Sequence, residues 1–250
     1  MKVFVQADKN GLPHNHNFYS AYQGFLEMGF ETIMFNRLEE LKDSNRNDIV
    51  IGYVDDVRKK LSYFGVTPPE IDYPEELKAY LGRKIWRSKL SHVANNPEQW
   101  PIFIKPIEDK KFSGVVVHSP KNLIGCGTCG EDPEIFCSEV VNFKAEWRCF
   151  VRYGRILDVR PYRGEWRLHY EPTVIEKAVS EYKTAPNGFA IDFGLTNDGR
   201  TLLIEVNDGY ALGSYGLFYL DYAKLLSSRW AELTKTQDEC AFDIHYGKYN

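Results

Sequence analysis

The rhythm of apolar residues along this chain changes once, and that change restricts what the chain can fold into. Up to Gly65, short apolar runs alternate with longer amphipathic stretches. Val3-Phe4-Val5, Thr32-Ile33-Met34-Phe35 and Asp48-Ile49-Val50-Ile51-Gly52 read as strands. Residues 18–28 read as a helix, with Asn17 as N-cap and Gly29 as stop; residues 54–64 read as another, ended by Gly65. Strand–helix alternation of this kind predicts a small open parallel sheet. It carries no G-x-G-x-x-G loop, so a dinucleotide-binding domain is not expected.

Pro68, Pro69 and Pro74 then break the pattern, residues 75–81 read as a helix, and Gly82 closes the first domain, residues 1–82. Residues 88–95 read as a short helix stopped by Pro97. From Pro101 the texture is β. Residues 102–106, 115–117 and 136–141 read as strands, and 147–153 with 156–162 as a hairpin around Gly154. A second hairpin closes around Asn197-Asp198-Gly199-Arg200, and residues 219–233 form a final helix.

Composition removes several classes of function. Hydrophobic content of 43% and charged content of 26% describe an ordinary globular protein. The net charge of −4 leaves no whole-molecule basic field, which disfavours nucleic acid as a partner. No apolar run reaches the ~18 residues of a membrane helix. The start, Met1-Lys2-Val3-Phe4-Val5-Gln6-Ala7-Asp8, turns polar too soon for a signal peptide, so a cytoplasmic location is the expectation. Cys126 and Cys129 form a Cys-x-x-Cys inside a Gly-rich loop without a second ligand pair; free thiols are expected there, with a redox pair as the alternative. The histidines make no catalytic arrangement, and His14 and His16 fall in a polar turn.

The chemistry concentrates in the β-rich half. With 197–200 as the hairpin loop, Asp192 lies directly opposite Glu205, and Asn207 shares Glu205's face. Three oxygen donors without His or Cys suit Mg²⁺, which commonly bridges to nucleotide phosphates; a solvated polar hairpin face is the other reading. Lys105 ends an apolar strand, as a phosphate-binding cation or as an edge gatekeeper. Lys110-Lys111-Phe112-Ser113-Gly114 joins two strands and can turn backbone N–H groups toward an anion, though it is not a Walker A sequence. Ser138-Glu139-Val140-Val141, followed by Glu146, suits a purine edge and a ribose, or simply a half-buried strand.

Between Lys144 and Arg167 stand seven basic residues, opposed only by Glu146, Asp158 and Glu165. With a 153–155 loop, Arg148 faces Arg160. Like charges in direct register destabilise a hairpin unless an anion or a carboxylate sits between them. The pair therefore points to phosphate or carboxylate binding, with a salt-bridged sheet face as the alternative.

The order Phe103-Ile104-Lys105-Pro106, Ser-Gly loop, Ser138-Glu139-Val140-Val141, Glu146, Asp192, Glu205-Val206-Asn207 resembles the ATP-grasp superfamily over roughly residues 83–230. The Glu-Trp-Arg-x-Phe-Val and Glu-Val-Asn-Asp-Gly stretches look closest to a clade of short bacterial and phage members. The resemblance implies an α/β (α+β) protein: a small N-terminal parallel α/β domain, then two α+β subdomains, 83–142 and 143–250, clasping ATP. It implies that Lys105 and Lys84 (or Lys89) hold the phosphates and that Lys111, Ser113 and Gly114 lie in a closing loop. Glu139, Val140 and Val141 would line adenine, Glu146 the ribose, and Asp192, Glu205 and Asn207 would bind Mg²⁺.

One departure stands out. D-alanine–D-alanine ligases carry an arginine two residues before the first metal acid, where this chain has Ala190. Arg148 and Arg160 are the candidates to supply that charge as catalytic residues. The resemblance implies an ATP- and Mg²⁺-dependent carboxylate–amine ligase working through an acylphosphate. Its partners would be small-molecule or peptide carboxylate and amine substrates, with no membrane; a homo-oligomer is compatible with the sequence. An ATP-binding regulatory or adaptor module and an ATP-grasp kinase are the alternatives.

Overall fold

A computed structural model of the chain describes residues 1–107, 111–127 and 131–243. Lys110 and Cys129, both singled out above, lie outside the described residues. The chain forms two compact units, one of residues 1–80 together with 144–250 and one of residues 81–143. The fold is mixed α/β, with one parallel and two antiparallel sheets.

The first unit begins with β1 (Lys2–Gln6), α1 (His16–Glu27), β2 (Glu31–Phe35), β3 (Ile49–Ile51) and α2 (Val54–Tyr63). The strands make a parallel sheet in the order β2-β1-β3. β1 is central, and Val3 and Val5 are fully buried. α1 starts two residues earlier than its sequence predicts. Asn15 is the cap, its side chain accepting from the Phe18 N–H. The expected cap, Asn17, has its amide oxygen committed elsewhere: it accepts from the N–H and hydroxyl of Ser214. Residues 75–80 form a 3₁₀ helix rather than an α-helix.

The second unit holds β4 (Ile85–Lys89), α3 (Leu90–Asn95), β5 (Ile102–Pro106), β6 (Val115–Val117) and β7 (Glu134–Ser138). They form an antiparallel sheet in the order β4-β7-β5-β6. Ile104, Ile135, Cys137 and Val117 pack with Val93 of α3 into its core. β4 was not legible as a strand, because Arg87, Ser88 and Lys89 dilute its apolar pattern; its pairing with β7 makes it one. β7 ends at Ser138, so Val140 and Val141 follow the strand instead of completing it.

The first unit resumes with β8 (Phe143–Arg152), β9 (Arg155–Gly164), α4 (Pro172–Glu181), β10 (Gly188–Thr196), β11 (Thr201–Asp208) and α5 (Tyr219–Thr234). The strands form an antiparallel sheet in the order β11-β10-β8-β9. β8 and β9 are joined by a two-residue turn, Tyr153-Gly154, both at positive φ (49° and 71°), the geometry that matches strand twist. The turn is one residue shorter than the 153–155 loop expected. The register recovers because Leu157 is left without a partner, in a bulge between the Val151–Ile156 and Phe150–Asp158 pairs.

One core runs through this unit. Phe25, Phe35, Ile49 and Leu61 pack with Phe150, Ala190, Leu225 and Trp230. α1 and α5 touch so closely that a Cβ at Gly24 would stand 2.7 Å from Ala223 Cβ. Among the described residues, no helix is long and apolar enough to cross a membrane.

Candidate active site

The sheet β11-β10-β8-β9 owes its polar face to a second bulge. Near the turn, Leu195 pairs Thr201, Gly194 pairs Leu202 and Phe193 pairs Leu203. Continued without interruption, that register would place Ile204 opposite Asp192. Ile204 instead falls out of the ladder, and Glu205 takes the place opposite Asp192. Leu203 and Glu205, two apart in sequence, thereby point to opposite faces, one to the core and one to the site. Ala190 pairs Asn207 beyond them.

Asp192, Glu205 and Asn207 therefore share one patch. Asp192 is buried, and its oxygens accept two hydrogen bonds of 2.7 Å from Nε and Nη2 of Arg148. Asn207 Nδ2 donates to Asp192 Oδ2 at 3.2 Å, which turns its Oδ1 away from that carboxylate. Burial disfavours the charged form of Asp192, and the Arg148 fork opposes that by favouring it. Arg148 is held above its ordinary pKa by its bonds and charge interaction with Asp192, which outweigh its own desolvation, so it stays a cation.

Arg160 stands directly opposite Arg148, as the sequence predicts. Its Nη1 reaches Asp158 at 3.2 Å, while its buried Nε has no hydrogen-bond partner among the described residues. Two stacked rings lie beside Arg148. Tyr215 lies over the Arg148 guanidinium (4.6 Å) and stacks on Tyr162 (5.0 Å between centroids, 18° between planes). Tyr215 has a φ of 43°, an uncommon value for a bulky side chain, in the tight loop that carries it. Gly216 follows at φ 79°, where a Cβ would come within 3.2 Å of Arg160 Nη2. The same loop is tied to α1 through Ser214 and Asn17. The hydroxyl of Tyr162 is kept protonated by burial and by the nearby Asp192 and Glu146 carboxylates.

Glu146 is buried and accepts from Arg163 Nη1 at 2.6 Å. Arg163 also lines a cavity of about 490 Å³, with Trp147, Tyr162, Glu165 and Tyr170 among the other lining residues. Sequence reasoning missed Tyr162, Tyr215 and the Asn17–Ser214 tie. The alternation of Gly213, Ser214, Tyr215 and Gly216 just after the Glu-x-Asn strand was the available signal.

The remaining candidates lie in the second unit. Lys105 occupies β5 in register with Phe136 and reaches over its ring at 5.8 Å. Gly114 rests on Phe103, where a Cβ would be 2.6 Å from the ring, so the Ser113-Gly114 backbone lies close against β5. Lys111 pairs with Glu131 at 3.4 Å. The Glu139 carboxylate accepts from the Lys84 backbone N–H at 2.8 Å, and the Lys84 carbonyl accepts from the Glu139 N–H at 3.2 Å. Val140 and Val141 follow in the segment after β7, both half-buried.

The first unit thus carries three oxygen-bearing side chains on the same sheet face as two arginines, and the second unit carries Lys105 on a sheet of its own. A family model, ATP-grasp domain of R2K clade family 2, matches residues 80–225, more than half of the chain, and the chain belongs to that family. No curated protein sequence matches it. Among solved structures it is similar to D-alanine–D-alanine ligase from Bacillus anthracis (13% identity, TM-score 0.57, 94% of this chain and 98% of that chain). It is also similar to a D-cycloserine synthetase (12%, TM-score 0.55, 92% of this chain and 100% of that one). N5-carboxyaminoimidazole synthase from Aspergillus clavatus matches at 13% identity and TM-score 0.54, over 94% of this chain and 77% of that one. At these identities the likeness is one of fold.

Proposed function

We propose that the chain is an ATP- and Mg²⁺-dependent carboxylate–amine ligase that forms an acylphosphate intermediate. One observation carries this reading: Asp192, Glu205 and Asn207 share a face with Arg148 and Arg160, so cation-binding oxygens stand beside anion-binding guanidinium groups. A site that only held nucleotide would have no use for the second arginine, with its unpartnered Nε.

The donor set fits a hard divalent ion. Asn207 donates through Nδ2, which leaves Oδ1 as a neutral oxygen ligand beside the Glu205 carboxylate. Asp192 accepts three hydrogen bonds, from Arg148 twice and Asn207 once, against roughly four acceptor positions on a carboxylate. These three residues would hold Mg²⁺, which when bound neutralises phosphate charge.

The chain's own groups then do the following. Lys105 and the Lys111–Gly114 loop bind the phosphates of ATP, and the 139–141 segment and Glu146 hold the nucleoside. The substrate carboxylate oxygen attacks the γ-phosphorus, the bond to the β-phosphate oxygen breaks, and ADP leaves. The amine attacks the acylphosphate carbonyl carbon, its nitrogen loses a proton to water or to the departing phosphate, and the tetrahedral anion collapses to the amide with breakage of the C–O bond and loss of inorganic phosphate. Arg148, locked by Asp192, fixes the geometry, and Arg160 offers Nε–H to the developing oxyanion. Arg148 thus brings a guanidinium to the metal-binding face, where Ala190 is packed in the core and carries no charge.

Incubation with ATP, Mg²⁺ and pooled amino acids, peptides and metabolic acids tests the reading by mass spectrometry. ADP with a new amide is the expected result. ADP with a stable phosphorylated product would make the protein a kinase, and absence of ADP with every pool would leave an ATP-binding module.

A further inference from the structure

We propose that Asn17, Arg148 and the space beside Gly213 form a subsite for a carboxylate of the substrate, with the Asn17 amide as its specificity-determining donor. This rests on the ligase reading above and deepens it, by placing one acidic group of the substrate within the first unit.

Asn15 caps α1, so the Asn17 side chain has another use. Its Oδ1 accepts from the Ser214 N–H at 3.0 Å and from the Ser214 hydroxyl at 2.9 Å. A backbone N–H can only donate, so the amide cannot turn its nitrogen toward Ser214, and its orientation is fixed. Ser214 is fully buried, which makes the anchor a firm one. Nδ2 is left with two hydrogens that meet no acceptor among the described residues.

Arg148 carries a similar surplus. Its Nε and Nη2 are spent on Asp192, and its Nη1 reaches no acceptor among the described residues. The two unspent donors come together at Gly213. A Cβ on that residue would stand 3.8 Å from Asn17 Nδ2, 3.9 Å from Arg148 Nη1 and 3.8 Å from Tyr215 Cζ. These are ordinary contact distances, so a side chain as small as alanine's would fit there. The absence of any side chain leaves a space bordered by two donors and a tyrosine ring.

Donors without acceptors select a ligand that only accepts. An ionised carboxylate does so through two oxygens, one for each nitrogen, and its bonds are charge-assisted. An ammonium group brings only donors, and a neutral amide offers a single oxygen. A phosphate dianion would meet one guanidinium already paired with Asp192 and one uncharged amide, a weaker match for two charges.

The test follows the Asn17 side-chain NH₂ pair by nitrogen–hydrogen correlation NMR of the full chain, without ATP or Mg²⁺. The pair is identified as the signal that N17D removes. Acetate should shift it saturably, acetamide and methylammonium should not, and inorganic phosphate should bind at least about threefold more weakly than acetate. G213A adds a methyl group without a close contact, at a residue outside the left-handed region, so its melting temperature should match wild type. That methyl fills the space between the donors and should weaken acetate by about tenfold. N17D keeps an oxygen for Ser214 and replaces the donor with an acceptor. Acetate affinity, followed at the Arg148 Nε–H, should fall by about tenfold or more. Should N17D fail to fold, G213A carries the test.

Acetate binding within about twofold of wild type in a folded N17D or G213A overturns the proposal. A response to methylammonium, a preference for phosphate, or no response to acetate at about 0.1 M does so as well. An Asn17 response to acetate in a protein that turns over ATP with no acid breaks the ligase reading and supports the subsite. Amide formation without that response does the reverse.

Discussion

The first unit buries two Arg–Asp pairs of almost the same geometry, and the proposed function gives them different ends. Arg229 of α5 grips Asp208 through Nε and Nη2 at 2.6 Å each, and its Nη1 is spent on Glu232 at 2.9 Å. Every nitrogen of that guanidinium is satisfied, and the group fastens α5 to the end of β11. Arg148 grips Asp192 in the same bidentate way, but among the described residues its Nη1 donates to no protein acceptor. Its surroundings are also different: Asn207 and Glu205 beside the carboxylate, Tyr215 over the guanidinium. A buried ion pair is weak evidence of stability in itself, because desolvation consumes much of the attraction. What separates a fastening from a tool is the unspent hydrogen-bonding capacity left around it.

The largest effect expected is on the tool. Glu205→Ala or Asn207→Ala should reduce turnover by about 10³-fold or more by removing a cation ligand, with a melting temperature near that of wild type. Full activity in either variant would place the metal elsewhere. Replacing the tool pair together, R148M with D192L, should leave a folded protein without activity, since exchanging a buried ion pair for apolar residues of similar volume is often close to neutral for stability.

On the fastening, R229A should cost about 3–5 kcal/mol in denaturant unfolding by stranding Asp208, which burial already pushes toward its neutral form. R229M with D208L should recover most of that loss and retain activity. If the double replacement at 229 and 208 also abolishes turnover while the protein stays folded, the distinction between the two pairs fails.

How far the sequence revealed these pairs depends on what each contact needs. Asp192, Glu205 and Asn207 were legible because a hairpin obeys period two and Asn197-Asp198-Gly199 announces its turn. Even so, the pairing of Asp192 with Glu205 rests on the Ile204 bulge, which nothing in the local sequence marks. The Arg148–Arg160 register was legible in the same way, through a shorter turn and a compensating bulge at Leu157. The partnership of Arg148 with Asp192 was not, because it joins β8 to β10 across 44 residues. Arg229 with Asp208 escaped as well: a helix arginine and a strand-end aspartate carry no spacing that ties them. β4 and α4 were lost for related reasons. One is held by its neighbour in the sheet, and the other, within Pro172–Glu181, buries only Ile175, Ala178 and Val179.

A smaller loss is expected at Arg160. Its side chain is 42% exposed and its one ion pair, with Asp158, is equally open, so R160A should change stability by less than about 1 kcal/mol. Its contribution to turnover should still be about 10²-fold, the usual scale for one oxyanion donor. Loss of stability matching the loss of turnover would make Arg160 a second fastening.

The smallest effect concerns the dryness of the sheet behind Arg148. Cys149, the next residue on β8, points into the core, and burial pushes its thiol up to about 12, with the Asp192 and Asp158 charges adding to the rise. Cys137 in the second unit is pushed up to about 11 by burial alone. A raised pKa keeps a thiol protonated, so at pH 8 the thiolate fraction of Cys149 should be roughly 10⁻⁴. Native protein at that pH should show no labelling of either residue by a disulfide reagent, read by peptide mapping, and full labelling in guanidinium chloride. R148M with D192L removes the Asp192 charge and not the burial, so Cys149 should remain unlabelled there too. Labelling of Cys149 in that variant, with Cys137 still protected, would mean that the ion pair also seals the sheet against water, and the Arg148 pair would then be fastening and tool at once.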